Sequence, residues 1–293
     1  MNHDALASLL RCPICSSSMR YHSRVYSYCC NGPVLHTFRI RSEIPDLVCA
    51  EPQGRQKKVD RAFSWVAGQR YERIATGATA FDRFIVRLAY GTTRFIPLLF
   101  EFLESVAEDC KPGFFLDIPS GTGVFTAGQY SLQPNLDFIV ADYNRAMLAS
   151  ALEKIQAEEF GNVMLVRADA CNLPFAPESF TGVLTMKGLA CFPDKKKALD
   201  EFVRVLKFGG KLAGCFYIKS ERLLSDFFLG HFASWIGWYS PPFLTEEEFE
   251  NELKSRGIGR IVTRKLGAML FFSGRKIADT EVGEKSLCES GND

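Results

Sequence analysis

Phe114 to Thr126, FFLDIPSGTGVFT, constrains this chain more than any other stretch. An apolar run rich in β-formers ends in Asp117, opens into a turn carrying Gly121 and Gly123, and passes into helix-compatible residues. Strand, glycine turn and helix, in that order, is how an α/β sheet turns backbone N–H groups and a helix N-terminus toward a nucleotide-like ligand. Glycine at 121 and 123 lets the backbone approach such a ligand with no Cβ in the way. Similar turns occur in ordinary loops, so the stretches after it decide its meaning.

Those stretches alternate. Phe138 to Ala141 reads as a strand ending in Asp142, and Asn144 opens a helix to about Ala157. Val163 to Val166 leads to Asp169, and Val183 to Met186 is a further strand. Asp194 caps a helix with Leu199, Phe202, Val203 and Leu206 on one face, Gly209-Gly210 ends it, and Lys211 to Tyr217 is the next strand. Thr245 and Glu248 form a capping box for a helix that stops at Gly257. Ile261 to Leu266 and Ala268 to Ser273 add two strands, antiparallel at the sheet edge. The predicted fold class is α/β: a Rossmann-like, doubly wound, mostly parallel sheet with an antiparallel edge strand. Ligands of such sheets bind outside the carboxyl ends of the strands, so Asp117, Asp142 and Asp169 should share one crevice. Asp142 stands 21 positions after Gly121, the separation that sets an acid on a ribose diol. A nicotinamide dinucleotide and S-adenosylmethionine (SAM) both carry that diol.

Upstream, Cys12-Pro13-Ile14-Cys15 is a CxxC turn, followed by Cys29, Cys30 and His36 between short strands around Tyr26 to Tyr28 and Thr37 to Ile40. Two such turns joined by a hairpin supply four ligands for tetrahedral Zn²⁺: Cys12, Cys15, Cys30 and His36, with Cys29 an alternative third and Cys49 an alternative fourth. A redox CxxC usually opens a helix in a βαβ setting, which this stretch lacks. A unit of about 45 residues buries little core, so the metal would supply most of its folding free energy.

Between these regions, Glu51 to Arg61 reads as a polar linker. Phe81, Phe84, Ile85 and Leu88 recur at helical spacing, and Phe95 to Val106 is a second helix with Pro97 in its first turn. The expected organisation is a zinc-ribbon-like unit over 1–50, linker and helical cover over 51–110, and a catalytic domain over 111–277. The tail over 278–293 lacks apolar periodicity and reads as disordered. The net charge of +1 hides an asymmetry: residues 1–95 hold 14 Lys and Arg against 7 Asp and Glu, the remainder 21 against 27. No apolar run reaches about 18 residues, so a transmembrane helix is not expected. Ten cysteines without a basic, apolar leader point to reduced thiols or metal ligands and a cytoplasmic protein.

Two resemblances sharpen this. CPIC…CC…HTFRIRSEIPDL resembles the small zinc ribbons ahead of some bacterial methyltransferase domains, among them the large-subunit rRNA guanine-N1 methyltransferases, which implies RNA as a partner. LDIPSGTG, VADYNRAML, RADACNLPFAPESF and EFVRVLKFGGKLAG, spread over roughly residues 114 to 217, resemble the class I SAM-dependent methyltransferases. Within them, ADACNLPF…SF…RVLKFGGKL is most similar to the ubiquinone/menaquinone-type and general small-molecule enzymes. The resemblance implies SAM as cofactor, with Asp117, Pro119, Gly121, Thr122 and Gly123 at the loop beneath its amino-acid part. Asp142 would bind the ribose hydroxyls and Tyr143 would lie beside the adenine, with Met147 near them. Asp169 would accept from the adenine amino group, the Ala170 N–H would face a ring nitrogen, and Met186 and Lys187 would line the methyl-donor side. Pro119 stands where the family usually has its first glycine, and Thr181 where an Asp is common.

Ser220 to Phe243 follows the fifth strand, where this fold inserts acceptor-binding elements, and it is dense in aromatic residues. Phe228, Trp235, Trp238 and Tyr239 are the expected acceptor pocket within the insertion over 218–244, and an apolar aromatic patch suits a planar or lipid-like small molecule. The same residues would also serve as a lid, a subunit contact or a peripheral membrane face. His231 is the candidate base. The expected function is SAM-dependent methylation of a small, largely apolar or aromatic acceptor. The rivals are an RNA base methyltransferase and a non-catalytic SAM-binding or zinc-scaffold protein.

Overall fold

A computed structural model describes residues 3–158, 161–219 and 223–278; apart from Ala278, the tail expected to be disordered lies outside them. The chain opens with α1 (His3–Leu9), then β1 (Met19–His22), β2 (Ser27–Cys30), β3 (Thr37–Arg41) and β4 (Ile44–Pro45), a four-stranded antiparallel sheet in sequence order. Four helices follow: α2 (Gly54–Val66), α3 (Gln69–Thr76), α4 (Ala80–Tyr90) and α5 (Ile96–Ala107). The remainder runs β5 (Gly113–Asp117), β6 (Leu136–Asp142), α6 (Arg145–Ala157), β7 (Val163–Arg167), β8 (Phe180–Met186), α7 (Lys195–Val205) and β9 (Leu206–Tyr217). It ends with α8 (Leu223–Phe227), a π-helical turn Phe228–Ala233, α9 (Ser234–Ile236), α10 (Glu246–Lys254), β10 (Ile258–Leu266) and β11 (Met269–Lys276).

The main sheet has the order β10-β11-β9-β8-β5-β6-β7. β5, β6, β7, β8 and β9 pair in parallel, and every residue of β8 is buried. Continuous burial of that kind is why parallel strands read as unbroken apolar runs. The chain leaves β5 toward β6 and β7, then returns to the other side of β5 at β8. That reversal is the switch point where α/β sheets open a crevice. β11 is the strand that runs against the rest, but it lies between β9 and β10; the outermost strand, β10, runs parallel to the main set.

The N-terminal sheet has no separate core. Leu6, Leu10, Tyr28, Phe38 and Leu47 share one apolar cluster with Ile139 and Val166 of the larger sheet and with Ala168 and Phe175 between β7 and β8. Backbone bonds continue the junction: Arg11 N–H to Pro174 O (2.9 Å), Ala176 N–H to Leu9 O (2.8 Å) and Leu47 N–H to Arg167 O (3.0 Å).

Several expectations need correcting. The segment read as a linker is mostly helical, because Val59 and Val66 of α2 are buried while Lys57, Lys58 and Arg61 face outward. In α4 the buried positions are Asp82, Val86, Ala89 and Tyr90, while Phe81, Phe84 and Leu88, read at helical spacing, are exposed. Gly209-Gly210 lies within β9, with α7 already ended at Val205. The residues after the glycine turn form a short 3₁₀ helix, Ala127–Leu132, rather than an α-helix. Gly128 and Ser131 are poor α-helix formers at that point.

Candidate cofactor and acceptor site

Two buried acids end the strands that flank the glycine loop. Asp142 ends β6, and its Oδ2 accepts from the Gly121 N–H (2.9 Å) while its Oδ1 accepts from the Asn144 N–H (2.8 Å). Each carboxylate oxygen keeps a second lone pair for a ligand hydroxyl. Asp117 ends β5, and its Oδ2 accepts from the Tyr130 hydroxyl at 2.7 Å. Burial raises both carboxyls to about 6, so each titrates well above the ordinary carboxylate range.

The loop fits a ligand. Gly121 has φ +58°, and a Cβ there would meet nothing within 4 Å, whereas one at Gly123 would touch Ala127 at 3.4 Å. Asp117 Oδ1, Ser120 Oγ, Thr122 Oγ1 and Thr185 Oγ1 are buried without a hydrogen-bond partner among the described residues. Three of those four sit on or under the loop, and polar atoms left so are costly unless a ligand or water completes them. Pro119, at the position of the usual glycine, packs on Gly188: a Cβ on Gly188 would stand 2.1 Å from the proline Cδ. A side chain at position 188 would therefore displace Pro119 from its place in the loop.

A cavity opens over these carboxyl ends. Pro119, Gly121, Asp142, Tyr143, Met147, Asp169, Ala170, Met186 and Lys187 all line it; Asp117, Thr122 and Gly123 lie behind the wall. Asp169 Oδ1 accepts from the Cys171 N–H at 2.9 Å, fixing its own turn. The opposite wall is the helical cover, which contributes Asp60, Phe63, Tyr71 and Tyr90. Asn144 clamps α2 across the crevice, its Nδ2 donating to Asp60 O (2.9 Å), Asp60 Oδ1 (2.9 Å) and Ser64 Oγ (2.7 Å). Sequence spacing marks Asn144 only as a helix start, and it does cap α6 by accepting from Met147 N–H (3.0 Å). Its bond to α2 crosses 84 positions and leaves no local signal.

The insertion after β9 closes the far end. Phe228, Trp238 and Tyr239 line the cavity; Trp235 does not, being 72% exposed. His231 is exposed, stacks on Phe227 (centroids 5.5 Å apart) and is not among the lining residues, so it is not placed as a base. Tyr90 and Tyr239 hydrogen-bond through their hydroxyls, and Arg55 donates to Ser234 O (2.9 Å) and to Tyr239 O, tying cover and insertion together.

On the N-terminal sheet, the ligand atoms of Cys12, Cys15, Cys30 and His36 lie within 4.8 Å of one another. Cys29 and Cys49 stand outside the group: Cys29 Sγ contacts Thr37 Oγ1 at 3.5 Å, and Cys49 is exposed. Asp46, just beyond β4, accepts from Arg167 (2.9 Å) and Arg145 (2.5 Å). Arg167 also donates to Tyr143 O (2.9 Å) and lies 5.1 Å from the Tyr143 ring centroid. The N-terminal unit thereby braces one wall of the cavity.

Strand order, glycine loop and acids together are the frame of the class I SAM-dependent methyltransferases, and the known proteins that the chain resembles lie in that class. The model of the ubiE/COQ5 methyltransferase family matches residues 97–235. The chain is 43% identical over 99 residues to the ubiquinone/menaquinone biosynthesis C-methyltransferase UbiE of Pasteurella multocida, covering 33% of this chain and 37% of that protein. It is 31% identical over 165 residues to UbiE of Wigglesworthia glossinidia brevipalpis, covering 54% of this chain and 65% of the relative. The chain thus spans less than two thirds of these relatives' lengths. Among solved structures, phosphoethanolamine N-methyltransferase 2 of Haemonchus contortus in complex with SAM superposes with a TM-score of 0.54 at 20% identity, over 73% of this chain and 61% of that one. That likeness concerns the fold.

Proposed function

We propose that the protein transfers a methyl group from SAM to a small, largely apolar aromatic acceptor held between the sheet and its helical cover. The observation that carries this is the mixed lining of the cavity. It joins the glycine loop, Asp142 and Asp169 to the aromatic side chains of Tyr71, Phe125, Phe228, Trp238 and Tyr239. Asp142 would hold the ribose hydroxyls, Tyr143 and Asp169 the adenine, and Asp117 with the loop the amino-acid end. SAM supplies a methyl group already activated on a sulfonium, so the protein's task is chiefly to align the acceptor and exclude water.

Cys12, Cys15, Cys30 and His36 would hold a structural zinc. A tetrahedron with bonds of ~2.3 Å has edges of about 3.8 Å, which such a cluster reaches by small side-chain movements. No helix among the described residues is long and apolar enough to cross a membrane. The cover nevertheless exposes Trp65, Phe81 and Phe84, and α2, α3 and α4 carry eight Lys and Arg against three Asp and Glu. Apolar side chains among basic ones suit the surface of an anionic bilayer, from which an apolar acceptor would enter.

RNA is the rival acceptor. Arg41, Arg145 and Arg167 of the basic N-terminal region and its neighbours are already engaged by Asp46, which leaves fewer cations for phosphates. Labelled SAM incubated with the protein and with separate RNA, lipid and small polar fractions of a cell extract tests the choice. Label is expected in the lipid or small-molecule fraction. Label confined to RNA would overturn the proposal.

A further inference from the structure

The N-terminal unit grips both ends of one wall of the cavity. Ala168, Asp169, Ala170 and Cys171 all line the cavity, in the segment that follows β7. At the near end, Arg167 donates to Asp46 Oδ1 (2.9 Å), and its carbonyl accepts from the Leu47 N–H (3.0 Å). At the far end, Asn172 Nδ2 donates to Pro13 O at 3.2 Å, a bond that spans 159 positions. Pro13 lies inside the CxxC turn, between Cys12 and Cys15. That turn is closed on itself, the Ser16 N–H donating to Cys12 O and the Cys12 N–H to Ser17 O, both at 2.8 Å. Beneath it, Cys12 is buried in one apolar cluster with Ala170 and Leu173. The turn at 169–172 is likewise tight: the Cys171 N–H donates to Asp169 Oδ1 (2.9 Å) and the Asn172 N–H to Asp169 O (3.0 Å). Among the described residues, its side chains bond outside the turn through Asn172 to Pro13 and through the weaker thiol donor of Cys171 to Asp194 O (3.3 Å). The residues beyond it are held from α7 instead, the Leu173 N–H by Glu201 (2.7 Å) and Leu173 O by Arg204 (3.0 Å).

On the function proposed above, on which this inference rests, zinc is held by Cys12, Cys15, Cys30 and His36, and a cofactor adenine lies against Asp169. Four ligands gathered on one metal make the CxxC turn rigid, because ordering the site and binding the metal are one process. A rigid Pro13 carbonyl then holds Asn172, and with it the turn that presents Asp169 and the Ala170 N–H. A loose carbonyl leaves that turn with fewer outside bonds, and a cofactor must order it at its own entropic cost. We propose that the zinc site and the adenine end of the cofactor site are coupled, with Asn172 the positioning residue that joins them. Coupling between two sites is reciprocal, so each ligand strengthens the other by the same factor. The N-terminal unit thereby sets the strength of cofactor binding as well as contributing to the stability of the fold.

The probe is S-adenosylhomocysteine, titrated by calorimetry into the full chain with zinc bound and again after a chelator has removed it. Zinc removal is expected to weaken binding about fivefold or more, the lower end for coupled sites. In the reverse direction, a chromophoric chelator competing for zinc should find the metal held more tightly, by the same factor, when S-adenosylhomocysteine is present. Asn172→Ala needs no stripped protein: with zinc content unchanged by elemental analysis, it should bind S-adenosylhomocysteine about threefold or more weaker, the effect of one lost hydrogen bond. Removing zinc from this variant should cost less affinity than in the wild type, and Asn172→Gln, which keeps the amide donor, should restore part of the coupling. S-inosylhomocysteine carries an oxo group in place of the adenine amino group and so separates positioning of Asp169 from general loosening; its affinity should change little in either case. Equal affinity with and without zinc, a zinc affinity indifferent to S-adenosylhomocysteine, a full-sized zinc effect in Asn172→Ala, or parallel losses for the inosine analogue would each overturn the proposal. Two controls separate failures further back: a chain that holds no zinc removes the metal site, one that gives no heat with S-adenosylhomocysteine removes the methyltransferase function, and this proposal falls with either.

Discussion

Asp142 serves two ends at once: it shapes the glycine loop through the Gly121 and Asn144 N–H groups and, on the function proposed above, would hold a ribose diol. Its carboxyl titrates at about 6 because burial penalises the charge. A folded-state value above the ordinary one means that the related stability is fully present below the ordinary value and is lost as pH rises through about 6. Asp117 shares that sign and window. The ligand-free protein is therefore expected to gain resistance to denaturant, from these two groups, between pH 7 and pH 5. Ligand affinity should move the other way, because hydroxyl binding needs the ionised acid. Below about pH 6, affinity for S-adenosylhomocysteine should fall by up to about tenfold per pH unit, and Asp142→Asn should bind weakly with that slope removed. An affinity flat from pH 5 to pH 8 by calorimetry would rule out this role. Asp142 was legible because its distance from the glycine turn is fixed by one strand and one crossover. The contact of Pro119 with Gly188 and the bond of Asn144 to Asp60 were not, because each joins residues brought together only by the folded sheet.

Elements were legible where a period meets a single environment. β6, β7 and β8 are buried on both faces and read as apolar runs. α4 was legible as a helix but not in its orientation, because its phenylalanines obey helical spacing on the solvent side while its inner face uses Val86, Ala89 and Tyr90. Spacing reveals that a helix has a stripe, not which partner covers it. The N-terminal unit was expected to draw most of its folding free energy from its metal, yet its core is continuous with the sheet's. That continuity sets an expectation for metal removal. Cys12→Ser, or a chelator on the wild type, should release bound zinc and lower the midpoint of a single thermal transition, with no separate early transition for residues 1–50. Because Asp46 and Arg167 link this unit to Tyr143, Asp46→Ala should weaken S-adenosylhomocysteine binding several-fold while zinc content, measured by elemental analysis, stays unchanged. Two independent transitions, or full affinity in Asp46→Ala, would show the unit to be a passive appendage.

Across the whole molecule, the charge asymmetry of the sequence has a location. Its basic excess includes the cover helices, beside the largest exposed apolar side chains. Trp65 is 72% exposed on α2 and shares a shallow groove with Lys57, Lys58 and Arg61, and with Ile236 at the end of α9. Phe81 and Phe84 stand out from α4, which packs against α8 and the π-helical turn, where Phe227 is 66% exposed. Exposed aromatic residues flanked by cations gain twice at an anionic bilayer, through apolar insertion and through attraction to headgroups within a Debye length of ~10 Å. Binding to vesicles containing anionic lipid should therefore be clear at low ionic strength and decline with added salt. Vesicles of zwitterionic lipid alone should hold less protein. A double change, Trp65→Ser with Phe84→Ser, should reduce pelleting with anionic vesicles about tenfold or more, since two large side chains lose ~1.5–3 kcal/mol each of apolar transfer. It should leave S-adenosylhomocysteine affinity intact, because neither side chain lines the cavity. If the wild type stays in the supernatant at every lipid composition, or forms a dimer that the double change dissolves, the exposed face belongs to a second copy of the chain and the acceptor must reach the pocket from water.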